Sequence, residues 1–436
     1  MDRLRRSAVI VSIAVPTPSP TSRSYARRTA IASVLALSLP LFADAQPLPS
    51  GSGIRHAATR SFTLVVKADG SVVGWGRDPD GQAARPPSPR RVITTPVPID
   101  LPGKALQVAL GDTTQYALLE DGTVVSWGTN DEGQLGNGPM GATGRSGLYP
   151  APSVTPVKVT GLNGVIQIAA GMKHAIALRS DGTVWAWGRR SNGEIGDGDG
   201  HSGLPAIGPT RVPGLDGIKQ IAADGSHNLA LRSDGHVMAW GLNHSGELGT
   251  GTRDKVTTPV EVKGLDRVVA IAAGTGGSAA GSSGAVRDDG TVWMWGTGMS
   301  AMTGNDPGLS PDDAGGRVLE PMPIKGITGA RRLSIGSGHV AVLLADGTLR
   351  LWGFDGYGQT GVGTSGTSSE IDGAYKRRPV KPAITNVASI YLGGYRSLAV
   401  RTDGTLWIWG FAAVTSPGIL GRNLKVPTWL DLEATK

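Results

Sequence analysis

With seven histidines, 35 carboxylates and no cysteine, the chain has a limited set of side chains with which to do chemistry. The missing thiols exclude a disulfide scaffold, a thiolate zinc or iron–sulfur centre, a Cys nucleophile and a lipoprotein anchor. His174, His227 and His339 each stand seven residues before an Asp, as a ring of metal ligands would. The corresponding places hold Phe62, Thr114, Ser282 and Arg396, with no matching carboxylates, so the spacing predicts a role at a strand end and no metal. Asp69, Asp121, Asp181, Asp234, Asp289, Asp346 and Asp403 each precede a Gly. A carboxylate in that setting is spent on its own turn, accepting from nearby backbone amides. The run Gly274 to Gly281 resembles a phosphate loop but lacks the Gly-Lys-Ser/Thr ending, and reads as a flexible insertion. No catalytic residue, metal site or cofactor is expected.

The Asp-Gly pairs belong to a larger pattern. Each Asp is followed six residues later by a Trp-Gly, at Trp75, Trp127, Trp187, Trp240, Trp295, Trp352 and Trp409. Gly111, Gly171, Gly336 and Gly393 stand ten residues before their Asp; Asp224 holds that place in the fourth unit, and Gly274 lies fifteen residues ahead in the fifth. A constant core with variable periods puts insertions in loops. The third unit predicts four strands over Pro156 to Val159, Ile166 to Ala170, His174 to Arg179 and Thr183 to Trp187, with a primed Asp-Gly hairpin between the last two.

Both faces of the last strand are apolar, so each sheet must be covered on both sides. Seven such units close an all-β, seven-bladed propeller of four-stranded blades, in which the Trp residues form inter-blade core. The segment Lys425 to Leu432 is similar to Thr95 to Leu101, which predicts that the C-terminal strand completes the first blade and closes the ring. His56 is read at the place of Ile168, as a buried, satisfied histidine near the axis.

These residues resemble the regulator-of-chromosome-condensation repeat family, with its Asp-Gly-x-[Val/Leu]-x-x-Trp-Gly core over roughly Gly53 to Leu432. The family's Asn-x-x-Gly-x-[Leu/Ile]-Gly tail appears at Asn130 to Gly136 and Asn243 to Gly249, in altered form at Asn192 to Gly196, and in part in unit six; units one, five and seven lack most of it. The resemblance implies a seven-bladed propeller. Its namesakes release nucleotide from a small GTPase through a wedge in one blade, which is not recognisable here. A polysaccharide lyase or hydrolase on a propeller is the other alternative to a binding role.

Residues 1–45 read as an export signal: Arg27-Arg28, an apolar run from Ala30 to Phe42, and Ala43-Asp44-Ala45 before Gln46. The run is too short to span a bilayer, so no membrane anchor is expected. Residues 46–436 form the propeller. The basic excess of +7 is largely that of the signal, whose six Arg and two Asp leave 36 Lys+Arg against 33 Asp+Glu once removed, so nucleic acid is not the expected partner. Long connections after each Trp-Gly gather on one rim, the usual binding face. Two carry cations: Arg85, Arg90 and Arg91 in the first, and Lys376, Arg377, Arg378 and Lys381 in the sixth. The chain is therefore expected to be an exported, monomeric, non-catalytic scaffold, periplasmic or extracellular, that binds a protein or a cell-surface polymer through rim loops.

Overall fold

The computed structural model describes residues 53–139, 152–199, 204–275, 281–297, 316–363, 375–411 and 423–432. The chain parts into Met1–Pro40 and Leu41–Lys436. The segment read as an export signal lies outside the described residues.

Twenty-eight strands form seven four-stranded antiparallel sheets, each from consecutive segments. Blade one is β1 (Ile54–Thr59), β2 (Phe62–Lys67), β3 (Val72–Arg77) and β4 (Val92–Ile99). Blade two is β5 to β8 (Ala105–Leu110, Thr114–Leu119, Val124–Gly128, Ser153–Lys158), and blade three β9 to β12 (Val165–Ala170, His174–Arg179, Val184–Gly188, Ala206–Arg211). Blade four is β13 to β16 (Ile218–Asp224, His227–Arg232, Val237–Gly241, Val256–Glu261), and blade five β17 to β20 (Val268–Thr275, Gly281–Arg287, Val292–Thr297, Arg317–Pro323). Blade six is β21 to β24 (Ala330–Ile335, His339–Leu344, Leu349–Phe354, Tyr375–Val380), and blade seven β25 to β28 (Val387–Gly393, Arg396–Arg401, Leu406–Gly410, Leu424–Leu430). None of the described residues is helical. The first strand of each blade packs on the first strand of the next, and β25 returns to β1, so the seven sheets close a ring.

Ring closure differs from the expectation. β28 pairs with β27 (Trp407 with Trp429, Ile408 with Thr428), and blade one is complete without it. The likeness of Lys425 to Leu432 and Thr95 to Leu101 is that of two outer strands, each edging its own blade. Each blade therefore ends after its outer strand, one strand later than the sequence predicts. Side-chain packing closes the ring: Leu398, Val400, Leu406 and Ile408 of blade seven share one apolar cluster with Ile54, Leu64 and Val66 of blade one. Arg396 Nη1 also donates to Arg60 O across the seam at 3.2 Å. A Cβ at Gly393 would overlap Thr59 O, so backbones meet there only because the residue is glycine.

The Asp-Gly hairpins also differ in turn type. Only Ala84, Arg267 and Asn386 have positive φ among described non-glycine residues, so the turn Asp residues do not. Lys67 O accepts from Gly70 N at 3.0 Å and Lys67 N donates to Ser71 O at 2.8 Å, with Gly70 at φ +84°. This is a type I turn followed by a left-handed glycine, the three-residue hairpin, and not a primed turn. Each turn Asp is used as its sequence implied: Asp181 Oδ1, for one, accepts from Thr183 N at 3.0 Å and Thr183 Oγ1 at 2.6 Å. These bonds hold its carboxyl below the usual range.

Every outer strand carries a proline at the equivalent place, Pro96, Pro156, Pro209, Pro259, Pro321, Pro379 and Pro427. A residue without an N–H cannot extend a ladder, so the seven edges resist pairing with other chains.

Candidate functional site

Antiparallel pairing puts two connections of each blade on one rim: the tight link between its first two strands and the long link between its last two. The Asp-Gly turns and the links between blades lie on the other rim. The long link begins with the tail loop, and its backbone does the same work in five blades. The carbonyls of Gln82, Gln134, Glu194, Glu247 and Gln359 accept the indole N–H of the next blade's Trp127, Trp187, Trp240, Trp295 and Trp409 at 2.7 to 3.0 Å. All seven Trp of the repeat are buried. Blade one keeps this loop, contrary to the sequence reading. Asp78 Oδ1 accepts from Ala83 N at 2.9 Å as Asn130 Oδ1 does from Leu135 N, and Ala84 takes φ +54° where other blades have glycine.

The three aligned histidines are inter-blade links. His174 Nε2 meets Asn228 Oδ1 at 2.8 Å, His227 Nε2 meets Ser283 Oγ at 3.0 Å, and His339 Nε2 meets Ser397 Oγ at 3.1 Å. Burial lowers His227 to about 3 and His339 to about 4, so both are neutral. Among the described residues no three His, Cys, Asp or Glu side chains group as metal ligands.

His56 aligns with Gln167 and not with Ile168, because the link after β1 is one residue shorter than that after β9. Gln107, Gln167 and Gln220 each clasp the backbone of the next blade's inner strand, as in Gln167 Nε2 to Ile221 O and Ile221 N to Gln167 Oε1. His56 takes that place between blades one and two, its Nδ1 facing Val108 N at 3.5 Å. Burial, reinforced by Arg332, pushes its imidazole down to about 4.

At the centre of the loop rim the last inner-strand position is glycine in five blades: Gly111, Gly171, Gly274, Gly336 and Gly393. Blade one has Arg60 there, marked by the bond from Arg60 N to Phe62 O that matches Gly111 N to Thr114 O. Blade four has Asp224. Arg60 donates to Asp112 Oδ1 at 2.8 Å and to Asp224 Oδ1, tying blades one, two and four across the mouth of the ring. Burial raises the Asp224 carboxyl, and the Arg60 guanidinium works against that shift.

The buried tail carboxylates differ in partner. Arg189 Nε donates to Glu194 Oε1 at 2.7 Å, whereas blade four has Leu242 in the place of Arg189. Burial then pushes Glu247 up to about 7.

Farther out on the same rim, Phe354, Tyr357, Tyr375, Tyr395 and Phe411 meet at the seam of blades six and seven, with ring centroids 4.8 to 5.7 Å apart. All five are half-buried. They are five of the eleven Phe and Tyr in the chain, a concentration no other part of the described ring shows.

The RCC1-like domain profile matches residues 39–280, more than half of the chain. This chain belongs to the RCC1-like domain family. It is 33% identical over 253 residues to the mitochondrial RCC1 domain-containing protein RUG3 of Arabidopsis thaliana, covering 57% of this chain and 54% of that protein. It is 28% identical over 375 residues to the ultraviolet-B receptor UVR8 of the same plant, covering 84% and 79%. The match to the human E3 ubiquitin-protein ligase HERC2 spans only 7% of that protein. Among solved structures, human WBSCR16 gives a TM-score of 0.65 at 24% identity, over 80% of this chain and 87% of that one. Prp20p of Saccharomyces cerevisiae gives 0.66 at 22%, over 89% and 91%. These two likenesses are of fold.

The cations picked out in the sequence do not form one rim patch on this RCC1-like propeller. Arg85 and Arg90 are exposed in the long link of blade one, but Arg91 is spent on buried Asp78, its Nε 2.6 Å from Oδ2. Lys376, Arg377 and Arg378 lie on the outer strand β24 and not in a loop, with Lys376 Nζ 3.8 Å from Asp355. The strand runs away from the loop rim, so Lys381 reaches the other rim beside the Asp346 turn, whose carboxyl it helps to lower. The aromatic cluster escaped the sequence reading because its rings come from three separate links and the strand ends beside them, in two different blades. Tyr357 inside the otherwise family-like tail of unit six was the available signal.

Proposed function

We propose that the chain is an exported, non-catalytic propeller scaffold, monomeric by itself, that holds a partner protein on its loop rim. The observation that carries the reading is the half-buried aromatic patch of Phe354, Tyr357, Tyr375, Tyr395 and Phe411 on that rim. Exposed aromatic surface beside polar loops is the composition of interface anchors. Several of the rim's charged groups are committed to one another, Arg60 to Asp112 and Asp224, Arg189 to Glu194, Lys173 to Asp131, which favours a fixed recognition surface over acid–base chemistry. Relatives of the same fold give precedent: the Prp20p structure was described with its binding to Gsp1p and histones, and a second with Kap60 bound. Arg85 and Arg90 are assigned to steering the partner from blade one.

The test places a photo-crosslinking amino acid at Asp131, His244 or Tyr357 on the loop rim, and at Asp181, Asp289 or Asp403 on the other. Adducts from the periplasmic or culture-fluid fraction are expected at the first three, with a mature N-terminus at Gln46. Adducts confined to the Asp-Gly rim, or turnover of a glycan by the chain alone, would overturn the reading.

A further inference from the structure

We infer that the proline-rich arch of blade one, Arg85 to Arg90, is a ligand segment that the partner protein takes into an aromatic-lined groove with acidic side chains at its ends. The inference rests on the reading of the loop rim as the protein-binding face, and adds which segment of that rim enters the partner and what chemistry receives it.

The long link between β3 and β4 rises from a fixed base. Asp78 is fully buried; its Oδ1 accepts from Ala83 N at 2.9 Å and its Oδ2 holds Arg91 Nε at 2.6 Å. Arg91 in turn donates from Nη2 to Pro86 O at 2.6 Å and from its backbone N to Ser88 O at 2.9 Å. Asp78 N donates to Arg91 O at 3.0 Å, which ties the two ends of the link together. Gly81 seats the start of the arch, since a Cβ there would lie 2.9 Å from Arg85 O and 3.3 Å from Val154 of blade two.

Above these ties stand Arg85, Pro86, Pro87, Ser88, Pro89 and Arg90, all exposed, the longest exposed run among the described residues. The three prolines fix their own φ near the polyproline value, and Arg85, Pro86 and Ser88, each before a proline, are kept out of the helical region. None of the six has positive φ. Pro86 and Pro89 have the Pro-x-x-Pro spacing. A segment whose conformation is set before binding loses little entropy on docking, and exposed proline rings at this spacing fit the clefts between aromatic side chains. The carbonyls of Pro86 and Ser88 bond inward to Arg91, so the arch is held without covering those rings.

The two end residues supply the charge. Neither the Arg85 nor the Arg90 side chain bonds to another described residue. The rest of the link, residues 77–95, holds exposed Arg77 against half-buried Asp80, since Asp78 is paired with Arg91. On the neighbouring blades, residues 138–153 and 411–425 contain Arg145, Arg422 and Lys425 and no carboxylate. Asp131 of blade two is paired with Lys173 of blade three, and Glu132 lies in the field of Lys173 and Arg189. A free cation at each end of the prolines is complementary to a groove with Asp or Glu at its ends.

The test measures the full chain against a panel of purified SH3 and WW domains, whose aromatic grooves take Pro-x-x-Pro segments, by fluorescence anisotropy of the labelled domain. At least one domain is expected to bind, to lose at least tenfold in affinity on Pro86→Ala with Pro89→Ala, and to be displaced by a free peptide of residues 84–92. Arg85→Glu with Arg90→Glu should give a similar loss. All four positions are exposed, and an unchanged melting profile is the control for folding. A chain that binds no member of the panel, binding that survives either double substitution, or displacement of the domain by an equal concentration of twelve-nucleotide polyuridine RNA would overturn the inference. Partner crosslinks at Asp131 and His244 that persist in full after Pro86→Ala with Pro89→Ala would remove the arch as a docking segment and leave the rim reading standing. Domain binding lost on those substitutions, with partner crosslinks only on the other rim, would do the reverse.

Discussion

Arg60 of blade one and Asp224 of blade four hold the same place in their blades, the place of glycine in the other five, and their side chains join across the mouth of the ring. Both are largely shielded from water, so the pair is weakly screened, and either charge left alone there is costly. Asp112 joins Arg60 from blade two.

Arg60→Gly should therefore cost about 3 kcal/mol of unfolding free energy, because it strands Asp224. Asp224→Gly in the same chain should return part of that loss, a coupling of about 1 kcal/mol or more in a double-mutant cycle. Urea unfolding at pH 7 checks it; strictly additive losses would deny the clasp.

The tail-loop carbonyls should make blade Trp residues unequal. Trp240 donates to Glu194 O at 3.0 Å, whereas the buried Trp75 Nε1 has no partner among the described residues. Replacing each by Phe removes similar volume, so Trp240→Phe should cost about 1 kcal/mol more than Trp75→Phe, the net worth of one hydrogen bond. Thermal melts of the two variants compare them directly.

Stability should fall as pH is lowered from 6.5 to about 4. In the fold His227 and His339 protonate only near 3 and 4, while the unfolded chain takes those protons near 6.5. Across that window the unfolded state binds more protons, and acid favours it; above 6.5 the contribution is complete. Glu247 acts with the opposite sign, since its raised pKa makes the fold lose stability as pH rises from 4.5 through about 7. Gln fills this place in blades one, two and six, so Glu247→Gln should stabilise at pH 8, by at most about 3 kcal/mol, and do little at pH 5. Melting temperature against pH for both chains is the measurement.

Ala84 sits at φ +54° where the equivalent loops have Gly136, Gly196, Gly249 and Gly361. A left-handed alanine costs about 1 kcal/mol that glycine does not. Ala84→Gly should raise the urea midpoint, against the usual loss from added glycine.

The parts of this architecture legible in the sequence are those written in residues close along the chain. Asp181 and Trp187 are joined by one hairpin, so their spacing is fixed by two strands and a turn, and seven copies made the blades plain. The phase of the blade was not legible: β8 reaches β7 through a long variable link, and nothing local tells Pro156 which neighbour it pairs with. His56 slipped by one residue for a similar reason, since a single deletion before Phe62 breaks the count from Asp69. That deletion also hid Arg60 as the counterpart of Asp224, although Asp224 in a glycine's place was visible. The aromatic patch depends on the curvature of the ring, which brings Tyr375 and Tyr395 together from different blades.

Hydrogen–deuterium exchange of the chain with its captured partner tests the central claim most directly, because it reads both rims at once. The account predicts slowed exchange in residues 353–358, 375–377 and 394–396, with the Asp-Gly turns at 68–71, 180–183 and 402–405 unchanged. Protection at those turns with the aromatic seam untouched would contradict it.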